Sequence, residues 1–451
     1  MLKVSVSGVR GIWGKDLNHN IIIDYIKAYI AYIKPKKVSI ATDTRISGNV
    51  IKLLVKSVLN SYGIKILDLG VLPTPLLLYA VNKLKLDGGI IITSSHNPVE
   101  WNGLKFVKSG GVFLDNNDIK VLQENFINKN FKEFSIYTLK EDEESYNIIE
   151  DYLEELSKYI DFNLIKKQKF KIAIDAGNGA ILAVIDKILS KLNIEYTIIH
   201  KKPGLFERNP EPVPDALNKL VEKVKETKSE IGFAYDPDAD RLALVTENGP
   251  VGEDYTLAIA YLNMLDKGIK TDIVINFSTS SIIDEIAKMF NQNVYRSKVG
   301  EINVTEEIKK RDTLIGGEGN GGVILYNFNK CRDSIVATLI LLEYLARKKQ
   351  SLIEVIESLP KFYIIKDKIE TDWNNKIIEI VKDTISKNKV TIVSESIEDG
   401  LWFKLEKGFL HIRGSNTEPI VRIIGESNKK EFISNIIGEI KDGIRKGCCC
   451  N

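Results

Sequence analysis

The sequence predicts three similar α/β domains, with mixed but mostly parallel sheets, followed by a smaller C-terminal α+β domain. A lysine-rich entry, a short apolar strand, a polar loop and a helical stretch occur in that order three times, starting at Lys34, Lys166 and Lys267. Each copy leads to a second apolar strand that ends in a polar loop: GGIIITSSHNP, EIGFAYDPDADR and DTLIGGEGNGG. Strands that alternate with helical stretches are typical of βαβ units and parallel sheets.

Changes in this pattern set the expected domain boundaries. The acidic run EDEESYNIIEDYLEEL, then TENGPVGEDY, then SLPKFYIIKDKIE mark the three junctions. We therefore expect α/β domains over residues 1–147, 148–250 and 251–362, and the α+β domain over residues 363–451. In the last domain LWFKLE, GFLHI and IVRIIGES are predicted strands, and KKEFISNIIGEIKDGIRK is a predicted amphipathic helix.

The composition excludes several classes of protein. The chain of 451 residues is 44% hydrophobic and 27% charged, which is typical of a soluble globular protein. Its 63 basic and 61 acidic residues leave a net charge of +2, so no bulk charge favours nucleic acid or a membrane surface as a partner. The N-terminal MLKVSVSGVRG lacks the apolar core of a signal peptide, and no apolar run reaches the length of a membrane span. We therefore expect a cytoplasmic protein.

The most specific motif is DPDADR, which follows the apolar run EIGFAY. Asp236, Asp238 and Asp240 alternate along the chain, and carboxylates this close repel one another unless a cation lies between them. Oxygen ligands favour a hard ion, with Mg²⁺ before Ca²⁺ or Mn²⁺. An EF-hand is excluded because Arg241 stands at the turn glycine and the flanking stretches are predicted strands, where helices are needed. The motif therefore predicts a magnesium site, with Arg241 as a cation suited to a phosphate.

TSSHNP supplies a hydroxyl group that suits a nucleophile or a phosphate carrier. A Ser-His-Asp hydrolase does not fit, because adjacent side chains such as Ser95 and His96 point to opposite sides of an extended chain, and G-x-S-x-G is absent. Taken alone, the hexapeptide is better interpreted as a capped Asn-Pro turn. Ligands of parallel α/β sheets bind beyond the carboxyl ends of strands, so we expect this loop, DPDADR and GGEGNGG to share one site between domains.

Two further loops carry groups that bind oxygen-rich ligands. In RGSNTEP a planar fork of donors, two hydroxyls and an amide suit an oxyanion such as phosphate. These donors belong to Arg413, Ser415, Asn416 and Thr417. In GGEGNGG, Glu318 and Asn320 lie between glycines and suit sugar hydroxyls, whereas neither a Walker loop nor a dinucleotide fingerprint fits. Lys298, in SKVGE, is by itself a predicted surface lysine.

SGVRG, TSSHNP, DPDADR, GEGNGG and RGSNTEP, in this order, resemble the α-D-phosphohexomutase superfamily, which includes phosphoglucomutase/phosphomannomutase and phosphoglucosamine mutase. The resemblance covers nearly the whole chain. It implies four domains around a central cleft and a Mg²⁺-dependent isomerase that interconverts hexose or hexosamine 1-phosphates and 6-phosphates. By position Ser95 would be the phosphoserine, which forms a bisphosphosugar and later takes the other phosphate back. A glucose 1,6-bisphosphate-type activator, a phosphosugar partner and a monomer or homodimer are further implications.

The resemblance also implies a role for each motif residue. The metal ligands would be Asp236, Asp238, Asp240 and an oxygen of phosphorylated Ser95. Lys105 would be the general acid/base. Arg10 and Arg241 would be cations near the transferring phosphate. His96 would neighbour the phosphate or shape the loop. The substrate would be held by Lys298, Glu318, Asn320, Arg413, Ser415, Asn416 and Thr417.

Departures from the family pattern leave the sugar open. Bacterial glucose/mannose mutases often carry Glu-x-Ser-Gly-His in the sugar loop, whereas here Asn320 replaces the serine and Gly322 the histidine. The Glu-x-Asn-Gly form resembles archaeal members and eukaryotic acetylglucosamine-phosphate mutases, which favours hexosamine phosphates. The alternatives are a specific phosphoglucosamine mutase, a non-catalytic sugar-phosphate sensor and a phosphatase with the same loops. Ser94 stands where the family usually has alanine or glycine.

Overall fold

The computed structural model describes residues 2–415 and 419–448 of the chain. These residues form four sheets that follow one another along the sequence, the first three mixed and the last antiparallel. The predicted succession of three α/β domains and a C-terminal α+β domain is therefore confirmed. Within the described residues, no helix has the length and apolar character needed to cross a membrane.

The first α/β domain contains an eight-stranded sheet. Its strands are β1 (Lys3–Ser5), β2 (Gly8–Ile12), β3 (Lys37–Thr42), β4 (Lys65–Val71), β5 (Gly88–Ile92), β6 (Trp101–Lys108), β7 (Val112–Phe113) and β8 (Glu143–Ser145). Its helices are α1 (His19–Ile33), α2 (Gly48–Ser61), α3 (Thr74–Lys83) and α4 (Asn116–Asn128). The strand order is β1-β2-β6-β5-β3-β4-β8, with β7 paired to β6. Strands β3, β4, β5 and β8 are parallel, and β6 runs antiparallel to β5 and β2.

The second α/β domain has the sheet order β10-β9-β11-β12-β13. Its strands are β9 (Lys171–Asp175), β10 (Glu195–Ile199), β11 (Ile231–Tyr235), β12 (Leu242–Thr246) and β13 (Gly249–Pro250). Its α-helices are α5 (Ile149–Leu156), α6 (Phe162–Gln168), α7 (Ile185–Lys191) and α8 (Asn218–Thr227), with short 3₁₀ turns at Ala180–Ala183 and Pro214–Ala216. Helix α5 lies in the acidic run that was expected to connect the first two domains.

The third α/β domain has a four-stranded sheet, β15-β14-β16-β17, and the last domain a five-stranded one, β18-β22-β21-β20-β19. Their strands are β14 (Ile273–Asn276), β15 (Val294–Ser297), β16 (Ile315–Glu318), β17 (Gly322–Leu325), β18 (Tyr363–Glu370), β19 (Ile392–Ser396), β20 (Leu401–Leu405), β21 (Gly408–Gly414) and β22 (Ile420–Ser427). Their helices are α9 (Asp254–Asp266), α10 (Ile282–Met289), α11 (Glu301–Arg311), α12 (Ser334–Lys348), α13 (Leu352–Ser358), α14 (Asn375–Lys387) and α15 (Lys430–Cys448).

In each α/β domain, the loop predicted to carry chemistry joins a buried strand to an antiparallel neighbour. Strands β5, β11 and β16 are buried along their whole length, as expected when both faces of a sheet are covered. Each pairs directly with the strand that follows its loop, which is β6, β12 or β17. The three loops therefore leave their sheets at the carboxyl ends of interior strands, where ligands of such sheets bind.

The hydrophobic core separates the last domain from the rest. One continuous cluster of buried apolar side chains runs through all three α/β domains. The C-terminal domain has its own cluster between its sheet and helices α14 and α15. A small group, formed by Phe277 of the third domain with Trp402, Phe409 and Ile424, joins the two parts. The first three domains thus form one body, to which the fourth is attached.

Candidate active site

The three loops meet around a cavity of about 160 Å³. Its wall includes Ser95 and Lys105 from the first domain, Arg241 from the second and Glu318 from the third. The other predicted site residues that line it are Arg10, His96 and Asn320. The fold therefore builds a site shared between domains, as the positions of the loops at the strand ends indicated.

Ser95 adopts an unusual backbone conformation at this site. It is 1% exposed, and its φ of 49° lies in the left-handed region. A residue with a Cβ adopts this region at a cost of about 1–2 kcal/mol, so surrounding contacts must hold it there. Its Oγ lies 3.4 Å from Asp236 Oδ2 and 3.4 Å from His96 Nδ1. The extended geometry expected for TSSHNP is therefore wrong: the loop turns at Ser95, and its hydroxyl faces both an aspartate and the histidine.

Ser94 acts as a support for its neighbours. It is fully buried, and its Oγ donates a hydrogen bond to Asn97 Oδ1 over 3.1 Å. The same Asn97 oxygen accepts a hydrogen bond from Arg10 Nη1 over 3.3 Å. The Asn97 backbone N–H also donates to the Ser94 carbonyl. The extra hydroxyl thus fixes Asn97 and, through it, the Arg10 guanidinium at the cavity wall.

The three aspartates form a compact all-oxygen cluster. Asp236, Asp238 and Asp240 are buried, and their candidate ligand oxygens all lie within 4.8 Å of one another. Asp236 Oδ1 accepts hydrogen bonds from the backbone N–H groups of Asp240 and Arg241 over 3.0 and 3.1 Å. Asp238 Oδ1 and Asp240 Oδ1 are buried without a hydrogen-bond partner. Buried carboxylate oxygens without partners are costly, and a hard divalent cation is the ligand that would satisfy them, so this donor set fits Mg²⁺.

The surroundings shift the pKa values of the three carboxyl groups in different directions. Burial, together with the charges of Asp240 and Asp238, raises the pKa of Asp236 well above its ordinary value. Burial acts in the same direction on Asp238, but the Lys105 ammonium outweighs it and lowers the pKa of Asp238. The pKa of Asp240 is also lowered, because Arg332 and other cations outweigh burial. Asp238 and Asp240 are therefore ionised at neutral pH, as cation binding requires.

Lys105 is a buried ammonium group that is paired with two of the aspartates. It lies on β6 opposite Ile91 of β5, and it is 4% exposed. Its Nζ donates to Asp238 Oδ2 over 2.7 Å and lies 3.5 Å from Asp240 Oδ2. Burial lowers the pKa of the ammonium, but the two aspartates outweigh burial and the pKa rises. Lys105 is therefore protonated at neutral pH.

Two arginines hold His96 in its neutral form. The charge of Arg241, followed by burial and the charge of Arg10, lowers the pKa of His96 well below its ordinary value. Arg241 is anchored by Glu211, whose Oε1 lies 2.5 Å from Nη1. Arg10 donates from Nε and Nη2 to the Ser7 carbonyl. His96 thus contributes a polar imidazole without positive charge, while Arg10 and Arg241 supply the cations.

The predicted sugar loop presents one tethered carboxylate and one amide. Glu318 is 3% exposed and accepts hydrogen bonds from Asn276 Nδ2, the Gly300 backbone N–H and Arg332 Nη1 over 2.7, 2.9 and 2.6 Å. Burial alone would raise the pKa of Glu318, but Arg332 and these donors lower it. Asn320 lines the cavity, and its Oδ1 is buried without a hydrogen-bond partner. The amide oxygen can therefore accept a hydrogen bond from a ligand hydroxyl.

Arg332 is a cavity residue that sequence reasoning missed. Its guanidinium joins the predicted sugar loop to DPDADR, the predicted metal loop, with Nη1 donating to Glu318 Oε2 and Nη2 to Asp240 Oδ2, each over 2.6 Å. Its backbone N–H donates to Glu301 Oε1, and Glu301 also lines the cavity. A single arginine before a helix belongs to no chemical motif, so nothing in the sequence marks it.

Sequence reasoning also missed one contact between domains and one contact within the second domain. Thr74, at the start of α3, donates from Oγ1 to Asp238 Oδ2 over 2.8 Å and from its backbone N–H to the Asp238 carbonyl. Glu211 reaches Arg241 from a proline-rich loop of the second domain. Thr74 and Glu211 each contact a residue of DPDADR that is far away along the chain. Such a pairing is visible only in the folded structure.

The described residues of the predicted phosphate clamp are not among those that line this cavity. Arg413, at the end of β21, is partly buried and its Nε is buried without a hydrogen-bond partner. The Ser415 backbone N–H donates to the Ile420 carbonyl over 2.9 Å, and the positions 416 and 417 predicted from the sequence, Asn416 and Thr417, lie outside the described residues. Lys298 is exposed, and it is not among the described residues that line the cavity. Lys298, Arg413 and Ser415 therefore stay predicted substrate-binding residues that do not line this cavity.

Comparison with known proteins gives matches along the whole chain. The family models "Phosphoglucomutase/phosphomannomutase, alpha/beta/alpha domain I", "domain II" and "domain III" match residues 1–133, 150–249 and 252–363. A phosphoglucomutase/phosphomannomutase from Thermococcus kodakarensis is 32% identical over 435 residues, which cover 94% of each chain. A phosphoglucosamine/phosphogalactosamine mutase from Sulfurisphaera tokodaii is 31% identical over 443 residues, which cover 96% of this chain and 97% of the relative.

The fold agrees with these matches. A crystal structure of a phosphoglucomutase/phosphomannomutase family protein from Burkholderia thailandensis covers 98% of both chains, with a TM-score of 0.83 and 23% identity. The three family models follow the order of the three α/β domains, so the superfamily predicted from the loops is confirmed. The chain belongs to the phosphoglucomutase/phosphomannomutase family of α-D-phosphohexomutases, which are intramolecular phosphotransferases.

Proposed function

We propose that this phosphohexomutase interconverts hexose or hexosamine 1-phosphates and 6-phosphates through a phosphoryl group carried on Ser95. The observation that carries the proposal is the position of Ser95 Oγ, 3.4 Å from Asp236 Oδ2 and in the wall of a cavity that also contains Arg10, Arg241 and Lys105. A phosphoryl group in transit is an anion, and enzymes that transfer it work mainly by positioning and by charge stabilisation. The cavity supplies both.

Asp236, Asp238 and Asp240, with an oxygen of phosphorylated Ser95, are the residues that would hold Mg²⁺. The support is chemical: the ligand set is all oxygen, and Asp238 Oδ1 and Asp240 Oδ1 have no hydrogen-bond partner. When bound, the ion would supply positive charge to the phosphoryl oxygens during transfer. Lys105 and Arg332, which contact Asp238 and Asp240, hold these carboxylates in place from the protein side.

In the first half of the reaction, the free hydroxyl of a hexose monophosphate replaces Ser95 Oγ on phosphorus. The Oγ–P bond breaks and a new O–P bond forms on the sugar, while Ser95 Oγ takes a proton from Lys105 and Lys105 regains the proton that the sugar hydroxyl loses. Lys105 is protonated at neutral pH and suits donation to the leaving oxygen, since its pKa is raised by Asp238 and Asp240 despite burial. Arg10 and Arg241 neutralise the phosphoryl group, while the neutral His96 adds no competing charge.

In the second half, the bisphosphosugar turns over and returns its other phosphate to Ser95. The sugar hydroxyls would be bound by Glu318 and Asn320, which line the cavity. The phosphate that is not transferred would be bound by the clamp in the last domain, with Arg413, Ser415, Asn416 and Thr417, and by Lys298. A bisphosphosugar of the glucose 1,6-bisphosphate type would restore Ser95 whenever its phosphate is lost to water.

The test is the mass and the activity of two matched serine variants. Wild-type protein incubated with glucose 1,6-bisphosphate and Mg²⁺ should gain the mass of one phosphate and isomerise a hexose phosphate. Ser95→Ala should lose both the mass shift and most of the activity. Ser94→Ala, in which the neighbouring buried hydroxyl is removed, should keep the mass shift. Full mutase activity in Ser95→Ala would rule out the proposed mechanism.

The same assay separates the alternative functions. Release of inorganic phosphate faster than isomerisation would indicate a phosphatase, and binding of a hexose phosphate without turnover would indicate a sensor. Turnover of the 1-phosphates of glucose, mannose, glucosamine and N-acetylglucosamine should be compared side by side. The Glu-x-Asn-Gly form of the sugar loop leads us to expect substantial activity on a hexosamine phosphate.

A further inference from the structure

Arg45 is a buried arginine that no motif marks, and its guanidinium is devoted to the Ser95 loop. It follows β3 in the sequence ATDTR and is 3% exposed. Nη2 donates to the carbonyls of Ser95 and Asn97, each over 2.6 Å. Nη1 donates to the carbonyls of Pro98 and Trp101 over 2.5 and 2.9 Å. Three carbonyl oxygens of the loop that carries Ser95, and one from the first residue of β6, thus converge on one side chain.

Asp43 connects Arg45 to Thr93, and Thr93 contacts the other side of Ser95. We call Asp43, Arg45 and Thr93 the Ser95 clamp. Asp43 Oδ2 accepts hydrogen bonds from Arg45 Nε over 3.1 Å and from Thr93 Oγ1 over 2.6 Å. Thr93 Oγ1 in turn accepts a hydrogen bond from the Ser95 backbone N–H over 2.9 Å. Asp43 is 2% exposed, and Thr93 is fully buried. Both peptide groups of Ser95 are therefore held, the N–H through Thr93 and the carbonyl through Arg45.

Every N–H group of the Arg45 guanidinium has an acceptor in the Ser95 clamp or in the backbone that the clamp holds. A guanidinium has five N–H groups, and five acceptors surround it here: four backbone carbonyls and Asp43. The Phe206 ring of the second domain covers it, with its centroid 4.9 Å from Arg45 Cζ. Arg45 is not among the described residues that line the cavity. It is thus separated from the ligand and cannot serve as a phosphate-binding cation.

We infer that Asp43, Arg45 and Thr93 are positioning residues that hold Ser95 in its left-handed conformation, so that its Oγ faces the aspartate cluster and the incoming sugar. The unfavourable φ of 49° at Ser95 supplies the reason for so many contacts, because a serine released from them would relax to an ordinary backbone conformation. A change of this kind moves the Oγ, and a displacement of about 1 Å at a reacting atom costs about 100-fold in rate. The inference rests on the proposed role of Ser95.

The first test uses Arg45→Lys, which keeps the charge but cannot reach four carbonyls at once. We expect kcat to fall about 100-fold, with KM for the hexose phosphate changed less than about threefold, since the sugar-binding residues lie elsewhere. Phosphoryl uptake by Ser95 from glucose 1,6-bisphosphate, followed by intact mass, should slow in parallel. Arg347→Lys is the control: Arg347 is a partly buried arginine that donates to the Asn263 carbonyl, far along the chain from this loop, and should leave both rates unchanged.

A second pair of variants decides the matter if Arg45→Lys does not fold. Thr93→Val removes the hydroxyl between Asp43 and the Ser95 N–H while keeping the shape, and Thr93→Ser restores it. Thr93→Val should lower kcat and phosphoryl uptake about tenfold, and Thr93→Ser should recover most of the loss. A clamp with a merely structural role would lower the thermal midpoint but leave kcat of the folded fraction unchanged. Wild-type rates in the folded Arg45→Lys and Thr93→Val proteins would overturn the inference alone, whereas a wild-type protein that takes up no phosphate would overturn the proposed function as well.

Discussion

At the scale of single residues, three cations of the site are each paired with a carboxylate, and these pairings hold the side chains in place. Lys105 lies against Asp238 and Asp240, Arg332 joins Asp240 to Glu318, and Arg241 is held by Glu211. A buried charge without a partner is expensive, so each of these cations is stabilised by its neighbour, and for the lysine the neighbour also preserves the charge. Lys105 is consequently an acid at neutral pH, whereas an isolated buried lysine would tend to lose its proton.

Lys105→Gln should therefore remove proton donation while keeping a hydrogen bond to Asp238. We expect kcat to fall by about 10²- to 10⁴-fold, the usual contribution of a positioned acid or base. Lys108→Gln is the matched control, because Lys108 is on the same strand and pairs with Asp115, away from the cavity. Steady-state kinetics with the preferred hexose phosphate measures both. If Lys105→Gln retained more than about half of the wild-type kcat, the role of Lys105 as acid would be wrong.

At the scale of elements, backbone geometry fixes the sugar loop between β16 and β17. Gly321 has a φ of 82°, and a Cβ at this position would lie 2.2 Å from the Leu242 carbonyl oxygen of β12. The loop of the third domain therefore packs directly on the strand that follows the metal loop of the second. The Leu242 N–H also donates to the Gly321 carbonyl over 3.1 Å, so the two loops share a backbone contact.

Gly321→Ala should separate these loops and lower both stability and turnover. The control is Gly268→Ala, since Gly268 has a similar φ of 78° but no atom within 4 Å of the added Cβ. Both variants carry the cost of about 1–2 kcal/mol for a left-handed residue, but only Gly321→Ala adds a collision with backbone. We expect a lower thermal midpoint in both, with a larger decrease and a loss of kcat/KM in Gly321→Ala alone. Equal effects of the two substitutions would contradict the close packing of the loops.

The strands that lead to TSSHNP and DPDADR were predictable from the sequence, because each is an unbroken apolar run with a polar loop at its end. The aspartate cluster followed from spacing alone, since three carboxylates lie within six residues. The turn at Ser95 could not be predicted in this way. Its conformation depends on Arg45, which is 50 residues away along the chain, and short-range patterns contain no information about such a contact. The contacts of Arg332 and Thr74 with the predicted metal loop could not be predicted for the same reason, because both residues belong to other domains.

At the scale of the whole molecule, a polar latch attaches the last domain to the third. Glu426 of β22 is fully buried and accepts hydrogen bonds from the Ser280 hydroxyl and, over 2.8 Å, from the Ser281 backbone N–H at the start of α10. The Ser280 N–H donates to Asp254 over 2.8 Å, which places a second carboxyl group close by. Burial raises the pKa of Glu426 to about 7 and that of Asp254 to about 6. The attachment of the C-terminal domain should therefore depend on pH.

The sign of this dependence follows from the two states of Glu426. Its ordinary pKa is 4.5 and its folded pKa is about 7, so between these pH values the folded protein holds a proton that the unfolded protein has lost. The contribution to stability is fully present below pH 4.5 and is lost as the pH rises towards 7, by about 3 kcal/mol. Glu301, whose pKa burial raises to about 7, and Asp254 add dependences of the same sign.

Glu426→Gln isolates the contribution of the latch, because the amide stays neutral at every pH and retains a carbonyl oxygen for the Ser281 N–H. We expect the thermal midpoint of the variant to match the wild type near pH 4.5 and to exceed it at pH 8, since only the wild-type side chain must ionise while buried. Scanning calorimetry at both pH values measures the difference, from which the contributions of Asp254 and Glu301 cancel. Glu406→Gln, an exposed site in the same domain, should follow the wild type at both pH values. If Glu426→Gln lost stability between pH 4.5 and 8 as steeply as the wild type, the ionisation of Glu426 would not control how the fourth domain is held.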